Sequence, residues 1–307
     1  MRGILLPFTT PFSASGDLDV PRLRANIRLW NKSGISGYVA VGSTGERAHL
    51  DEREYLQVIE AARSEVSSES RFIVGAGQHS TRKTIAEIKA AEMAGADAVL
   101  VLTPHYYRPA ITQDVLLDHY RAVADASPVP VILYSMPALT GIKIAPDTVA
   151  RLSEHENIIG IKDSSNDLPE LKTTVQLCGD DFAVITGNGT VLFDALSVGA
   201  RAAILAVGCV VPELCLDILK AFEKNDHERA RGLQEALTPL AAAVTTKYGI
   251  GGLKAALDLA GYHGGFVRAP LRMPDARARE EIALLLNEAQ AALSSAGVSP
   301  AASAQRE

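Results

Sequence analysis

Eight short runs of β-branched and aliphatic residues recur along the chain, each followed by a longer, mixed segment. They are "GILLPFT" (3 to 9), "GYVAVG" (37 to 42), "RFIVGAG" (71 to 77), "AVLVLTP" (98 to 104), "VPVILYSMP" (129 to 137), "IIGIKDSS" (158 to 165), "FAVITGNG" (182 to 189) and "AAILAVG" (202 to 208). Runs this apolar suit strands buried on both faces, which occur in parallel sheets covered by helices. The intervening segments have helical spacing: from Asp51 to Val66, Tyr55, Ile59, Ala62 and Val66 share one stripe, and Asp51 with Glu54 forms a capping-box signature at its start. Eight such strand-then-helix units predict an α/β chain closed into a (β/α)8 TIM barrel. An open doubly wound sheet is the competing architecture, but no GxGxxG follows the first run.

After Lys224 the alternation stops. The stretches "HERARGLQEALTPLAAAV", "GIGGLKAALDLAG" and "ARAREEIALLLNEAQAAL" are all helical in spacing, the last with Ile282, Leu285, Leu286, Ala289 and Leu293 on a stripe. The expected organisation is a barrel over residues 1–224 and a C-terminal helical appendage over residues 225–307. About a dozen residues at the end lack apolar periodicity and are expected to fray.

With 307 residues, 47% of them hydrophobic and 21% charged, the chain can bury a large core. Its net charge of −6 argues against a nucleic-acid partner, which would select for a basic face. Cys178, Cys209 and Cys215 are odd in number and form no CxxC pair, so they read as reduced thiols of a cytoplasmic protein, not as a disulfide framework or a zinc site. The opening "MRGILLPFTT" is neither a signal peptide nor a spanning helix, so no membrane partner is expected.

The barrel gives one residue particular meaning. In this fold the chemistry sits at the carboxyl ends of the strands, and Lys162 stands at the end of the sixth. Burial disfavours an ammonium, so a lysine held in apolar surroundings can present a free amine. Such an amine attacks a ketone to form an imine, an electron sink for making or breaking a carbon–carbon bond. The competing reading is a structural lysine, paired with Asp163 or reaching into solvent.

Other strand ends supply company. The fifth run places Tyr134 at the mouth, where a phenol can act as acid and base, although an interfacial core tyrosine is the commoner role. The second ends in "GSTGE", whose glycines permit a tight turn; the N–H groups and hydroxyls of Ser43 and Thr44 could hold a carboxylate. No GK[ST] follows, which excludes a Walker phosphate loop. The fourth ends in "TPHYYRP", crowding His105, Tyr106, Tyr107 and Arg108 on one loop.

Together "GSTGE", "TPHYYRP", "LYSMPALTG" and "GIKDSS", with the later "KYGIGGLKAALDLAGYHGGFVRAPL", resemble the dihydrodipicolinate synthase and N-acetylneuraminate lyase superfamily of pyruvate-dependent class I aldolases. The resemblance covers residues 3 to about 271 in order and spacing. It implies that Lys162 forms a covalent Schiff base with pyruvate or another 2-oxo acid, that Tyr134 shuttles protons, and that Ser43 links Tyr134 to a second tyrosine. That second tyrosine falls at Tyr106, with Tyr107 the alternative, and in relatives it enters from a neighbouring subunit. A homo-oligomer, a dimer or a homotetrameric dimer of dimers, is therefore implied. Ser43 and Thr44 would hold the substrate carboxylate, and Gly187 and Ile204 match positions whose backbone approaches the keto acid. The resemblance calls for no metal and no dissociable cofactor.

Departures from the pattern bear on the substrate. Dihydrodipicolinate synthases usually carry arginine where this chain has Leu139, and neuraminate lyases usually have an Asp-Glu pair where it has "GNGT" after Thr186. The motifs look most like the 4-hydroxy-2-oxoglutarate aldolase branch, although that branch often has Asn at the position of Thr44. The expected reaction is retro-aldol cleavage of 4-hydroxy-2-oxoglutarate to pyruvate and glyoxylate, with Ser164 a candidate contact for the glyoxylate end and Arg108 a possible countercharge. The alternatives are a dihydrodipicolinate synthase acting on pyruvate and aspartate semialdehyde, a related sugar-acid lyase or dehydratase, or a keto-acid-binding barrel without catalysis.

Overall fold

Each of the eight apolar runs forms a strand, and each strand is shorter than its run. In the computed structural model, which describes residues 1–295, they are β1 (Gly3–Pro7), β2 (Gly37–Ala40), β3 (Arg71–Ala76), β4 (Ala98–Leu102), β5 (Val131–Ser135), β6 (Ile158–Asp163), β7 (Ala183–Thr186) and β8 (Ala202–Ile204). All neighbours are parallel and in chain order, and β8 pairs back onto β1, so the sheet closes. The expected (β/α)8 barrel is the observed fold. The fraying expected at the chain end falls on residues 296–307, outside the described ones.

Local chemistry explains where the strands stop. β2 ends because Val41 adopts a left-handed φ of 46°, which leaves the sheet direction. β5 begins after Pro130, which has no N–H to give the ladder, and ends before Pro137, the first residue of a one-turn helix. The eighth run curls after Ile204 into a 3₁₀ turn over Val207–Cys209.

The helices follow the strands: α1 (Val20–Trp30), α2 (Glu52–Arg63), α3 (Thr81–Met93), α4 (Gln113–Ala126), the single turn α5 (Pro137–Thr140), α6 (Pro146–Ser153), α7 (Leu168–Leu177), α8 (Leu192–Ser197) and α9 (Pro212–Glu223). The capping box at α2 is present: Glu54 N–H donates to Asp51 Oδ1 at 2.8 Å, and Asp51 N–H donates to Glu54 Oε2 at 3.1 Å. The division expected at Lys224 falls in the turn between α9 and α10 (His227–Ala242). α10 packs on α9 and on α12 (Ala276–Ser295), and α11 (Gly249–Leu259) packs on α12. Of the expected stripe on α12, Ile282, Leu286, Ala289 and Leu293 are buried and Leu285 is partly buried.

The strands bury both faces because their side chains alternate. Leu5, Val39, Ile73, Leu100, Ile132 and Ile185 fill the lumen, while Ile4, Leu6, Tyr38, Val74, Leu133 and Val184 face the helices. The lumen is therefore packed, and in this fold reactive side chains converge at the carboxyl ends of the strands. Among the described residues no helix is long and apolar enough to cross a membrane.

Candidate active site

The parity of β6 decides where Lys162 points. Its strand neighbours are Tyr134 on β5 and Ile185 on β7, both of the lumenal set, so Lys162 enters the lumen with them. Its Nζ lies 4.4 Å from the centre of the Tyr134 ring. Each residue is only 5% exposed, so the lysine does not escape to solvent. Asp163 turns to the opposite face, where its Oδ1 accepts the N–H and hydroxyl of Ser165 at 2.8 and 2.6 Å. Burial raises the pKa of the Asp163 carboxyl, with the Ser165 bonds opposing. Among the described residues Lys162 has no ion pair, which removes the structural pairing with Asp163. An isoleucine or leucine at this lumenal position would contribute about 1.5–3 kcal/mol of burial. A lysine there buries its methylene stem but adds the cost of desolvating its amine.

Gly187, just past β7, makes room for the amine. A β-carbon on it would lie 1.9 Å from Ser164 Oγ and 2.7 Å from Lys162 Cε. Ser164 and Lys162 therefore both press on the bare face of this glycine, and its N–H donates to Asp163 O at 2.6 Å. Ile204 is fully buried at the end of β8, side by side with Leu5.

The turn after β2 brings the hydroxyls. Ser43 Oγ stands 3.4 Å from Tyr134 Oη, a long contact of the kind that tightens when a substrate binds. Within the turn, Gly45 N–H donates to Gly42 O at 3.0 Å and Glu46 N–H to Ser43 O at 3.2 Å. The N–H groups of Ser43 and Thr44 have no hydrogen-bond partner among the described residues. Two successive free donors beside half-buried hydroxyls are the kind of groups a carboxylate binds.

The loop after β4 is set apart. Tyr106 and Tyr107 are 71% and 68% exposed, their rings 5.0 Å apart and perpendicular. Tyr106 also lies 5.8 Å from the His79 ring, which in turn meets His105 edge-on at 4.6 Å. Among the described residues no hydrogen bond or ring contact joins either tyrosine to Ser43 or Tyr134. Arg108 lies along Gly141 at the end of α5, where an added β-carbon would come within 2.9 Å of its Nη1, and Leu139 on α5 is 64% exposed. The structure thus brings Lys162, Tyr134, Ser43, Thr44, Ser164 and Gly187 to one opening, and leaves Tyr106, Tyr107 and Arg108 outward.

One group beside the opening was not anticipated from sequence. Glu46, the last residue of "GSTGE", is buried and ion-paired at 2.6 Å with Lys254, which is fully buried on α11. The pair is a direct charge contact rather than a well-aligned hydrogen bond. The only signal in the sequence is a glutamate and a lysine inside two separate motifs. Among the described residues no group of three or more His, Cys, Asp or Glu side chains could hold a metal ion.

Comparison with known proteins identifies the family of the chain. The family model described as "Dihydrodipicolinate synthetase family" matches residues 1–289. A 4-hydroxy-tetrahydrodipicolinate synthase of Syntrophus aciditrophicus is 36% identical over 281 residues, covering 92% of this chain and 96% of its own. A dihydrodipicolinate synthase of Thermotoga maritima, solved as a crystal structure, superposes with a TM-score of 0.89 at 30% identity, over 94% of this chain and 99% of that one. A prophage protein of the dihydrodipicolinic acid synthase family from E. coli, solved in complex with pyruvate, superposes with a TM-score of 0.88 at 30% identity, over 94% and 99%.

Proposed function

The chain belongs to the dihydrodipicolinate synthetase family of carbon–carbon lyases, and from that premise we propose that Lys162 forms an imine with pyruvate. The observation that carries this is the buried amine 4.4 Å from the Tyr134 ring, with Ser43 Oγ 3.4 Å from the Tyr134 hydroxyl. The Lys162 amine attacks C2 of pyruvate; the Tyr134 phenol protonates the carbinolamine hydroxyl, which leaves as water and gives the iminium. The Tyr134 phenolate so formed takes a proton from C3, leaving the enamine and restoring the phenol. The free N–H groups of Ser43 and Thr44 hold the carboxylate, orienting C2 toward Nζ. The pyruvate complex of the E. coli relative supports this half of the reaction.

For the second half, the relatives favour condensation with aspartate semialdehyde, since the curated sequences of similar identity bear the name 4-hydroxy-tetrahydrodipicolinate synthase. This reverses the order of preference drawn from the motifs alone, and nothing beyond those motifs supports the 4-hydroxy-2-oxoglutarate branch specifically. Leu139 still favours retro-aldol cleavage as a second reading, because leucine cannot pair with the carboxylate of a semialdehyde. In either direction we assign Ser164, which packs with Lys162 against the bare face of Gly187, to the aldehyde end. The chemistry runs on the covalent imine and calls for no metal or dissociable cofactor.

The exposed Tyr106 and Tyr107 support a homo-oligomer in which one of them, Tyr106 by position, completes the proton relay of a neighbouring copy. Three free thiols, two of them buried, support a reducing compartment such as the cytoplasm.

Borohydride reduction in the presence of pyruvate tests the first half: mass spectrometry should find the adduct on the peptide containing Lys162, and Lys162→Ala should lose it. An adduct that persists in Lys162→Ala refutes the mechanism. A panel containing pyruvate with aspartate semialdehyde, 4-hydroxy-2-oxoglutarate, N-acetylneuraminate and 2-keto-3-deoxy sugar acids tests the second half. Fastest turnover of anything but the first refutes the condensation.

A further inference from the structure

The turn that offers its N–H groups to a carboxylate is tied down by side chains outside it. Glu46 sits in left-handed backbone, φ 56°, which a glutamate rarely adopts and which persists only where surrounding contacts impose it. Its Oε1 meets Lys254 Nζ at 2.6 Å; its Oε2 accepts the N–H of Arg268 at 3.1 Å and lies 3.0 Å from His49 Nδ1. Lys254 Nζ also donates to Thr10 O at 2.7 Å and Phe266 O at 2.5 Å. Thr10 Oγ1 in turn donates to Gly45 O at 2.7 Å. The lysine therefore grips both the turn, through Glu46, and the segment after β1 that holds Gly45.

We propose that the Lys254–Glu46 pair is a positioning device: from α11 it fixes the turn that aims the Ser43 and Thr44 donors, and so sets affinity for the substrate carboxylate. The inference rests on the pyruvate reading above. Neither residue touches the reacting atoms. The pair acts through Gly45 and Glu46, whose own N–H groups are spent inside the turn, so that the free donors of Ser43 and Thr44 inherit a fixed direction. Burial pushes the Lys254 ammonium down to about 8, with the charge of Glu46 opposing. The positioning role also accounts for the late "GIGGLK" motif, which contributes nothing to the lumen itself.

The test compares borohydride trapping on Lys162 by pyruvate and by hydroxyacetone, a ketone without a carboxylate, in the wild-type protein, E46Q and K254M. The half-saturating pyruvate concentration should rise about tenfold or more in each variant, as expected for lost ground-state binding, while that of hydroxyacetone stays within about twofold. The double variant E46Q/K254M leaves no buried charge uncompensated and should shift pyruvate no further than the worse single variant, because the two act as a unit. It also carries the test if K254M does not fold. Equal shifts for both ketones would mean a merely structural role and would overturn the proposal, as would no shift for either. Wild-type protein that traps no pyruvate would overturn the chemistry, and the positioning role with it.

Discussion

Gly187 and Ser164 are packed so closely that a β-carbon on the glycine would lie 1.9 Å from the serine Oγ. The same carbon would lie 2.7 Å from Lys162 Cε, so the absence of a side chain at 187 is a condition of the lysine's path into the mouth. Gly187→Ala should leave the barrel folded, because its nearest neighbours there are side-chain and not backbone atoms, but lower turnover by roughly 100-fold through displacement of the amine. Adding Ser164→Ala removes the nearer obstacle and should recover part of the loss. Unchanged turnover in the single variant would show that the lysine does not need this route.

Tyr134→Phe should keep the ring under Lys162 and lose the hydroxyl that meets Ser43. Turnover is expected to fall by about 10²–10⁴-fold while the pyruvate adduct still forms on Lys162, only more slowly. Steady-state kinetics with trapping in parallel checks this, and wild-type turnover in the variant would remove Tyr134 from the proton relay.

Ser164→Ala isolates the aldehyde half. Losing one hydrogen bond of about 1 kcal/mol should raise the KM for the aldehyde partner several-fold, with half-saturation by pyruvate nearly unchanged. If pyruvate is the substrate affected, Ser164 belongs to the imine half instead.

Stability toward acid should carry the signature of His119. This α4 imidazole is buried, with Nδ1 2.9 Å from Thr81 Oγ1 and Nε2 without a partner among the described residues. Burial pushes its pKa from the ordinary 6.5 down to about 4. As pH falls below about 6.5 the unfolded chain takes up a proton that the folded protein refuses. The stabilisation is therefore complete above that pH and is lost progressively toward 4, by roughly 3 kcal/mol in all. Urea unfolding between pH 7 and 4 should show this slope, and His119→Gln should flatten it; identical slopes would place the acid sensitivity elsewhere.

Much of the site was readable because strands carry their own arithmetic. A lysine at the end of an isoleucine run, and a tyrosine at the end of the run before it, are lumenal once the strands are parallel and in register, and Tyr134 and Lys162 are indeed strand neighbours. Helix starts were readable for the same local reason: the Asp51–Glu54 box uses atoms three residues apart. Strand ends were less so, because apolar runs continue into turns such as Val207–Cys209 that are buried without being extended.

What the chain alone determined is the succession of eight strand–helix units, the lumenal parity of its reactive residues and the hydroxyl turn, since backbone geometry makes side-chain alternation a local property. What only the tertiary structure decided is which distant groups meet. The 3.4 Å contact of Ser43 with Tyr134, the packing of Ser164 on Gly187, and the buried pairing of Glu46 with Lys254 all require barrel closure and the docking of α11. Such contacts depend on where packing places whole elements, and no local pattern of residues encodes that placement.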